Sequence, residues 1–130
     1  MTGNDFLLDT NIIVAWLNGE SAIANKVDKA HSIYIPVIVS GELFYGAMYS
    51  IQVQKNILKK ATLIKDYPAL DIDQDTAVEY GKIKADLRKK GTPIPENDIW
   101  ISALALQHGL PVVTRDKHFK KSPGIQVKKW

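Results

Sequence analysis

Asp9, Glu42, Asp98 and Asp116 are the residues of this chain that have the means to do chemistry together. Asp9, Asp98 and Asp116 stand at the edges of apolar segments, and Glu42 lies within one. Asp9 closes the run Phe6-Leu7-Leu8 and is followed by Thr10 and Asn11. Glu42 sits among Val39, Leu43 and Ala47, with Gly41 beside it and Gly46 one turn on. Asp98 heads the almost wholly apolar stretch Ile99 to Leu106, and Asp116 follows Pro111-Val112-Val113-Thr114-Arg115. Taken singly, each acid has an ordinary explanation. Asp9 suits a helix cap as well as a site, Glu42 suits a packed helix rim, and Asn97 or Asp98 suits an N-cap. Taken together, the four fall where an open parallel sheet places its ligand crevice, outside the carboxyl ends of the strands.

Four carboxylates in one place repel, and some take up protons unless a cation is present. The chain has no cysteine, and its three histidines, His31, His108 and His118, are scattered, so an oxygen-ligated hard ion, Mg²⁺ or Mn²⁺, is the expected cofactor. Such a site activates water, stabilises a leaving oxygen and clamps a phosphodiester for in-line attack. No Gly-rich nucleotide-cradling loop is present, which argues against a kinase or NTPase. His118 lies close to Asp116 in sequence and reads as a surface histidine.

The elements that must position these acids follow from periodicity. A buried first strand ends at Asp9, and a helix runs from about Thr10 to Asn18, with Thr10 and Asn11 as the expected caps that leave Asp9 free. Ser21 caps a second helix over residues 22–30. Ile33-Tyr34-Ile35 forms a strand stopped by Pro36, and helices are expected over Val37–Tyr49 and Ile51–Tyr67. Ala69 to Ile72 forms a third strand, and a helix capped by Asp73 or Asp75 buries Ala77, Tyr80, Ile83 and Leu87 before Gly91. A buried helix follows Glu96-Asn97-Asp98, then strands at Pro111–Thr114 and Ile125–Val127. Trp16, Phe44, Tyr45 and Tyr49 suit the core, a dimer face or a groove for a protein partner, with the core as the default. Strands separated by helices imply an α/β fold, a largely parallel sheet with helices on both faces.

The 130 residues suit one domain spanning 1–130. No apolar run is long enough to cross a bilayer and no signal-peptide pattern opens the chain, so a cytoplasmic location is expected. The net charge is +3, and residues 115–130 hold six basic side chains against one acid. Such a cluster suits either a phosphate backbone or a solvated surface.

The ordered motifs resemble those of PIN-domain ribonucleases, in particular VapC-type toxins of toxin–antitoxin pairs. The resemblance rests on Leu8-Asp9-Thr10-Asn11, Val39-Ser40-Gly41-Glu42-Leu43 with Gly46, Ile94-Pro95-Glu96-Asn97-Asp98 before Ile101-Ser102-Ala103, and Thr114-Arg115-Asp116 with Phe119. It implies a three-layer α/β/α sandwich with a mostly parallel five-stranded sheet. It implies Mg²⁺- or Mn²⁺-dependent endoribonuclease activity, with Asp9, Glu42, Asp98 and Asp116 as the acidic site and Thr10, Asn11 and Thr114 as polar neighbours of the metal or its waters. Asp9 and Asp98 are expected to contact the metal directly, and cleavage is expected to leave a 5′-phosphate. An RNA substrate, a homodimer and an antitoxin that covers the acidic site are the implied partners. Three features bear on the pattern: Glu96 competes with Asp98 for its role, although the helix register favours Asp98; Trp100 is bulkier than expected; and the resemblance implies no histidine ligand, so His118 reads as a surface histidine. The competing readings are an aspartyl-nucleophile phosphatase, which would want an acid where Asn11 stands, and a non-catalytic PIN-like module that binds RNA or protein.

Overall fold

A computed structural model describes residues 4–130. Its centre is β1, Asp5–Leu8, where Leu7 and Leu8 are both fully buried. A strand covered on both faces in this way reads as a continuous apolar run rather than an alternating one. Around it lie β2 (Ser32–Pro36), β3 (Ala69–Leu70), β4 (Val112–Val113) and β5 (Val127–Lys128). All pairings are parallel, in the order β3-β2-β1-β4-β5. The helices are α1 (Thr10–Leu17), α2 (Ser21–Lys29), α3 (Val37–Met48), α4 (Val53–Ile64), α5 (Gln74–Lys90) and α6 (Glu96–His108), and a 3₁₀ turn covers Lys117–Lys121. The architecture is an α/β/α sandwich of PIN-like topology.

The strand order creates the crevice. The chain builds outward from β1 through β2 to β3, then returns to the other side of β1 with β4. The gap beside such a reversal is where open α/β sheets bind ligands. Register is set by Leu7 opposite Val112 and Leu8 opposite Val113 on one side, and by Phe6 opposite Ile33 on the other. The amide of Asp9 donates to the Val113 carbonyl at 3.0 Å, which ties the end of β1 to the end of β4.

Glycines stop the helices that feed the sheet. Gly109 adopts φ +64°, and the Gly109 and Leu110 amides bond back to the Leu106 and Ala105 carbonyls, so α6 turns directly into β4. Gly19, at φ +88°, closes α1 in the same way. The main core joins Leu7, Leu8, Ile12, Ile13, Val39, Leu43, Ile101, Leu104, Val112, Val113 and Phe119.

Several element boundaries differ from the sequence expectation. The third strand stops at Leu70, because Asp71 to Asp73 are exposed and lead into a cap. Asp73 is that cap, forming a capping box with Thr76. Thr76 takes the buried place expected of Ala77, which is exposed. Glu20 rather than Ser21 stands at the N-cap of α2, with no side-chain cap bond. The final strand shifts to Val127–Lys128, pulled into register with Val112 and Val113. Tyr45 and Tyr49 stack on each other in solvent, 70% and 84% exposed, instead of entering the core.

Candidate active site

β1 ends in Asp9, and the helix that follows starts at once. Asp9 is itself the N-cap of α1, its Oδ1 accepting from the Thr10 amide at 2.8 Å. The expected division, with Thr10 and Asn11 as caps and Asp9 free, is therefore not found. One carboxylate oxygen caps while the other faces the site. Oδ2 accepts from the Thr114 hydroxyl at 2.7 Å and from Asn11 Nδ2 at 3.2 Å. Thr10 instead donates its hydroxyl to Glu42 Oε1 at 2.8 Å, linking α1 to α3.

Thr114 is 2% exposed and lies next to Asp9 because β4 pairs with β1. Its Oγ1 donates to Asp9 and accepts from the Asp116 amide at 2.9 Å. Asn11 completes the frame, donating to Thr114 Oγ1 at 3.3 Å and accepting from the Arg115 amide at 3.1 Å. The three polar residues Thr10, Asn11 and Thr114 thus hold the acids in fixed relation. Arg115 itself turns outward, making a two-pronged bond to Glu20 and a bond to the Trp130 carbonyl.

Asp98 lies within the first turn of α6, whose N-cap is Pro95 with no side-chain cap bond. Neither Asn97 nor Asp98 caps the helix. Asp98 is only 8% exposed, and its Oδ2 has no hydrogen-bond donor among the described residues. A buried carboxylate oxygen without a donor is costly as an anion. Burial pushes the Asp98 carboxyl up to about 7, reinforced by the charges of Asp116 and Asp9. Burial likewise raises Asp9, against the pull of the Thr114 and Thr10 bonds, with Glu42 and Asp116 adding repulsion.

Glu96 does not compete for this place. It is exposed, paired with Lys84 and bonded to the Tyr80 hydroxyl. Trp100 is accommodated by stacking on Tyr80, with centroids 4.0 Å apart and planes 17° apart.

Asp116 starts the 3₁₀ turn, its Oδ1 accepting from the His118 amide at 2.9 Å. Phe119, fully buried, anchors that turn in the core. The imidazole of His118 folds back on the site. Its Nδ1 is 2.8 Å from Asp116 Oδ1 and 3.7 Å from Asp98 Oδ2. The expectation of a plain surface histidine holds for its exposure and fails for its contacts. The signal lies in the spacing Asp116-x-His118, which within a 3₁₀ turn brings the ring back over the capping acid. One ligand atom each from Asp98, Asp116 and His118 lie within 4.8 Å of one another.

The fit to a divalent cation is therefore good. A donorless buried carboxylate oxygen, a second carboxylate and a ring nitrogen converge; Asp9 and Glu42 are not part of this group, Asp9 being tied through Thr114 to the Asp116 amide and Glu42 through Thr10 to Asp9. Beside Glu42 a groove of about 650 Å³ opens, lined by Val37, Ile38, Gly41, Glu42, Tyr45 and Asn97. A side chain at Gly41 would project into open space there, so this glycine keeps the approach to Glu42 clear. On the other side, Lys117, Lys120 and Lys129 join Thr114, Arg115 and Asp116 around a small basic recess.

Comparison with known proteins agrees with the fold. Residues 6–124 match the family model described as "PIN domain". The chain is 34% identical over 128 residues to a protein named tRNA(fMet)-specific endonuclease VapC, from Salmonella typhimurium, covering 96% of this chain and 97% of that protein. It is 30% identical to Ribonuclease VapC2 of Haemophilus influenzae, with the same coverage. Among solved structures, DNA-bound VapBC from Salmonella typhimurium superimposes with a TM-score of 0.92 at 32% identity, covering 97% of this chain and 98% of that one. VapBC2 from Rickettsia felis, bound to a promoter DNA fragment, gives a TM-score of 0.90 at 28% identity, again covering 97% and 98%.

Proposed function

This chain belongs to the PIN domain family, and from that membership we propose that it is an endoribonuclease that hydrolyses RNA phosphodiester bonds as the toxin of a toxin–antitoxin pair. The observation that carries the reading is Asp98 Oδ2, a buried carboxylate oxygen with no donor, facing a second acid across the sheet's reversal point. A bound cation is one partner that satisfies such an atom, and here a second carboxylate and a ring nitrogen lie beside it.

Asp98, Asp116, Asp9 and Glu42 would hold Mg²⁺ or Mn²⁺. When bound, that ion supplies positive charge for the phosphodiester, an acidified water and stabilisation of the leaving oxygen. The chain's own residues do the rest. Thr114 and Asn11 hold Asp9 Oδ2 in place, and Thr10 holds Glu42 Oε1, so the carboxylates do not swing as charge develops. Asp98, whose burial raises its proton affinity, takes up a proton readily when the ion is absent and releases it when the ion arrives. Lys117, Lys120 and Lys129 line a recess beside Asp116 and would hold the phosphates of a polynucleotide backbone. Water attacks phosphorus and the P–O3′ bond breaks, the leaving 3′-oxygen taking a proton, so one fragment would carry a 5′-phosphate and the other a free 3′-hydroxyl.

Two relatives are named as ribonucleases, and the solved relatives are VapBC complexes, which supports an antitoxin as this chain's protein partner. The open groove at Glu42 and the exposed Tyr45–Tyr49 stack give such a partner an apolar surface that ends at the acids. Homodimerisation and a cytoplasmic location belong to the same proposal. No helix among the described residues is long and apolar enough to cross a membrane.

The test is RNA cleavage by purified protein, with initiator transfer RNA included because one relative's name specifies it. Wild type is expected to cut in Mg²⁺ or Mn²⁺ and to leave 5′-phosphate ends, and Asp9→Asn and Asp98→Asn are expected to be inactive. Undiminished cleavage by either variant, or in excess chelator, or products ending in a 2′,3′-cyclic phosphate, would overturn the proposal.

A further inference from the structure

We infer that His118 is a nitrogen ligand of the divalent ion that Asp98 and Asp116 hold, and that it tilts this site toward Mn²⁺ over Mg²⁺. The inference rests on the metal-dependent function proposed for the acids and adds a residue to it.

Two donor atoms each about 2.1 Å from an octahedral ion lie about 3 Å apart at right angles and about 4 Å apart when opposite. His118 Nδ1 is 2.8 Å from Asp116 Oδ1 and 3.7 Å from Asp98 Oδ2. All three residues offer ligand atoms within 4.8 Å of one another, so one ion can touch each of them with little movement. The independent sign of a ligand is Asp98 Oδ2, which has no donor in a residue 8% exposed.

The ring is presented by a fixed backbone rather than by chance. The His118 amide is bonded to Asp116 Oδ1, the Asp116 amide to Thr114 Oγ1, and Thr114 Oγ1 to Asp9 Oδ2. Phe119, the next residue, is wholly buried and pins the turn. The imidazole itself is half-exposed, 46% accessible, and so is open to an incoming ion. Mn²⁺ shares the oxygen preference of Mg²⁺ but, as a softer first-row transition ion, accepts an imidazole nitrogen more readily, whereas Mg²⁺ holds to oxygen ligands and water. Removing His118 therefore costs Mn²⁺ more than it costs Mg²⁺.

The experiment is metal binding by RNA-free protein, using isothermal titration with MnCl₂ and MgCl₂ and electron spin-echo spectroscopy of the Mn²⁺ form. Wild type is expected to show nitrogen modulation from one imidazole. In His118→Ala that modulation disappears, Mn²⁺ affinity falls about tenfold or more, and Mg²⁺ affinity changes by less than about threefold. His118→Asn, which keeps a hydrogen-bond donor toward Asp116, is expected to behave like His118→Ala. Recovery of Mn²⁺ affinity in His118→Asn would show a role in orienting Asp116 and overturn ligation. So would wild-type Mn²⁺ affinity in His118→Ala, or no nitrogen modulation in wild type. Asp98→Asn separates the two levels. If it abolishes binding while His118→Ala does not, the acidic metal site stands and His118 is no ligand. If wild type binds neither ion, both readings fall.

Discussion

Asp98→Asn removes the charge that the metal-free protein tolerates least, and its effect on stability should change sign with the metal. The Asp98 carboxyl is raised from 3.8 to about 7 in the fold, mainly by burial. A group whose folded value is raised stabilises the protein below its unfolded value and loses that contribution as pH climbs through the folded one. Between pH 5 and pH 7 the unfolded chain carries Asp98 ionised while the folded one keeps it protonated, so stability falls by about 1.4 kcal/mol per pH unit. From pH 5 to pH 8 this amounts to roughly 3 kcal/mol in wild type, and Asp98→Asn lacks it. The variant is nearly isosteric, so in excess chelator it should gain on wild type by roughly that amount over the same interval. Saturating Mn²⁺ should reverse the order, because ligand binding stabilises only the form that binds. Urea denaturation at pH 5 and pH 8, with chelator and then with Mn²⁺, measures all four differences. A variant whose deficit relative to wild type is the same at both pH values in chelator would refute the reasoning. Asp98 would then be a carboxylate already satisfied within the fold.

Other perturbations reach the frame rather than the acids. Thr114→Val keeps the shape of a buried side chain but deletes the hydroxyl between Asp9 and the Asp116 amide. It should cost about 1–3 kcal/mol in chemical denaturation and also reduce RNA cleavage, and a fully stable, fully active variant would show that the bridge does not position the acids. Phe119→Ala removes a wholly buried ring beneath the 3₁₀ turn and should cost about 3–5 kcal/mol. A loss below about 1 kcal/mol in the same denaturation assay would mean that the turn is anchored elsewhere. Replacing Lys117, Lys120 and Lys129 by Ala should weaken binding of RNA to an inactive Asp9→Asn background and flatten the dependence of log affinity on log salt by up to about 2 units for single-stranded RNA. An unchanged slope would place the polynucleotide on another face.

Much of the site is readable residue by residue, for local reasons. Leu7-Leu8 followed by Asp9 announces a buried strand with a carboxylate at its end, and Gly109 announces the end of the helix that Asp98 heads. Caps are less legible. The sequence suggests that Asp9 leaves α1 to Thr10 and Asn11, yet it caps the helix with one oxygen and faces the site with the other. The Thr10 hydroxyl and the Asn11 amide are used across the site instead, because Glu42 and Thr114 come within their reach only after folding. His118 reads as a surface histidine because its two-residue spacing from Asp116 brings the ring to the acid only within the turn that the chain adopts there. Its ring meets Asp116 through a short 3₁₀ turn, which apolar periodicity does not mark.

The sequence by itself determined the order of strands and helices, most of the apolar faces they bury, and the placing of Asp9, Asp98 and Asp116 at element ends and of Glu42 within a helix. These depend on side-chain type and short-range spacing, which a linear chain displays openly. Only the tertiary structure decided which ends are neighbours. β4 returns to pair with β1, bringing Thr114 beside Asp9 across more than a hundred residues of chain. The same folding turns Glu96 outward to Lys84 and leaves Asp98 buried without a donor. Strand pairing minimises exposed apolar area over the whole sheet, a quantity that no local window contains. The pattern of Leu8, Asp9 and Asn11 therefore announced a carboxylate, while the fold supplied the other groups that give it a use.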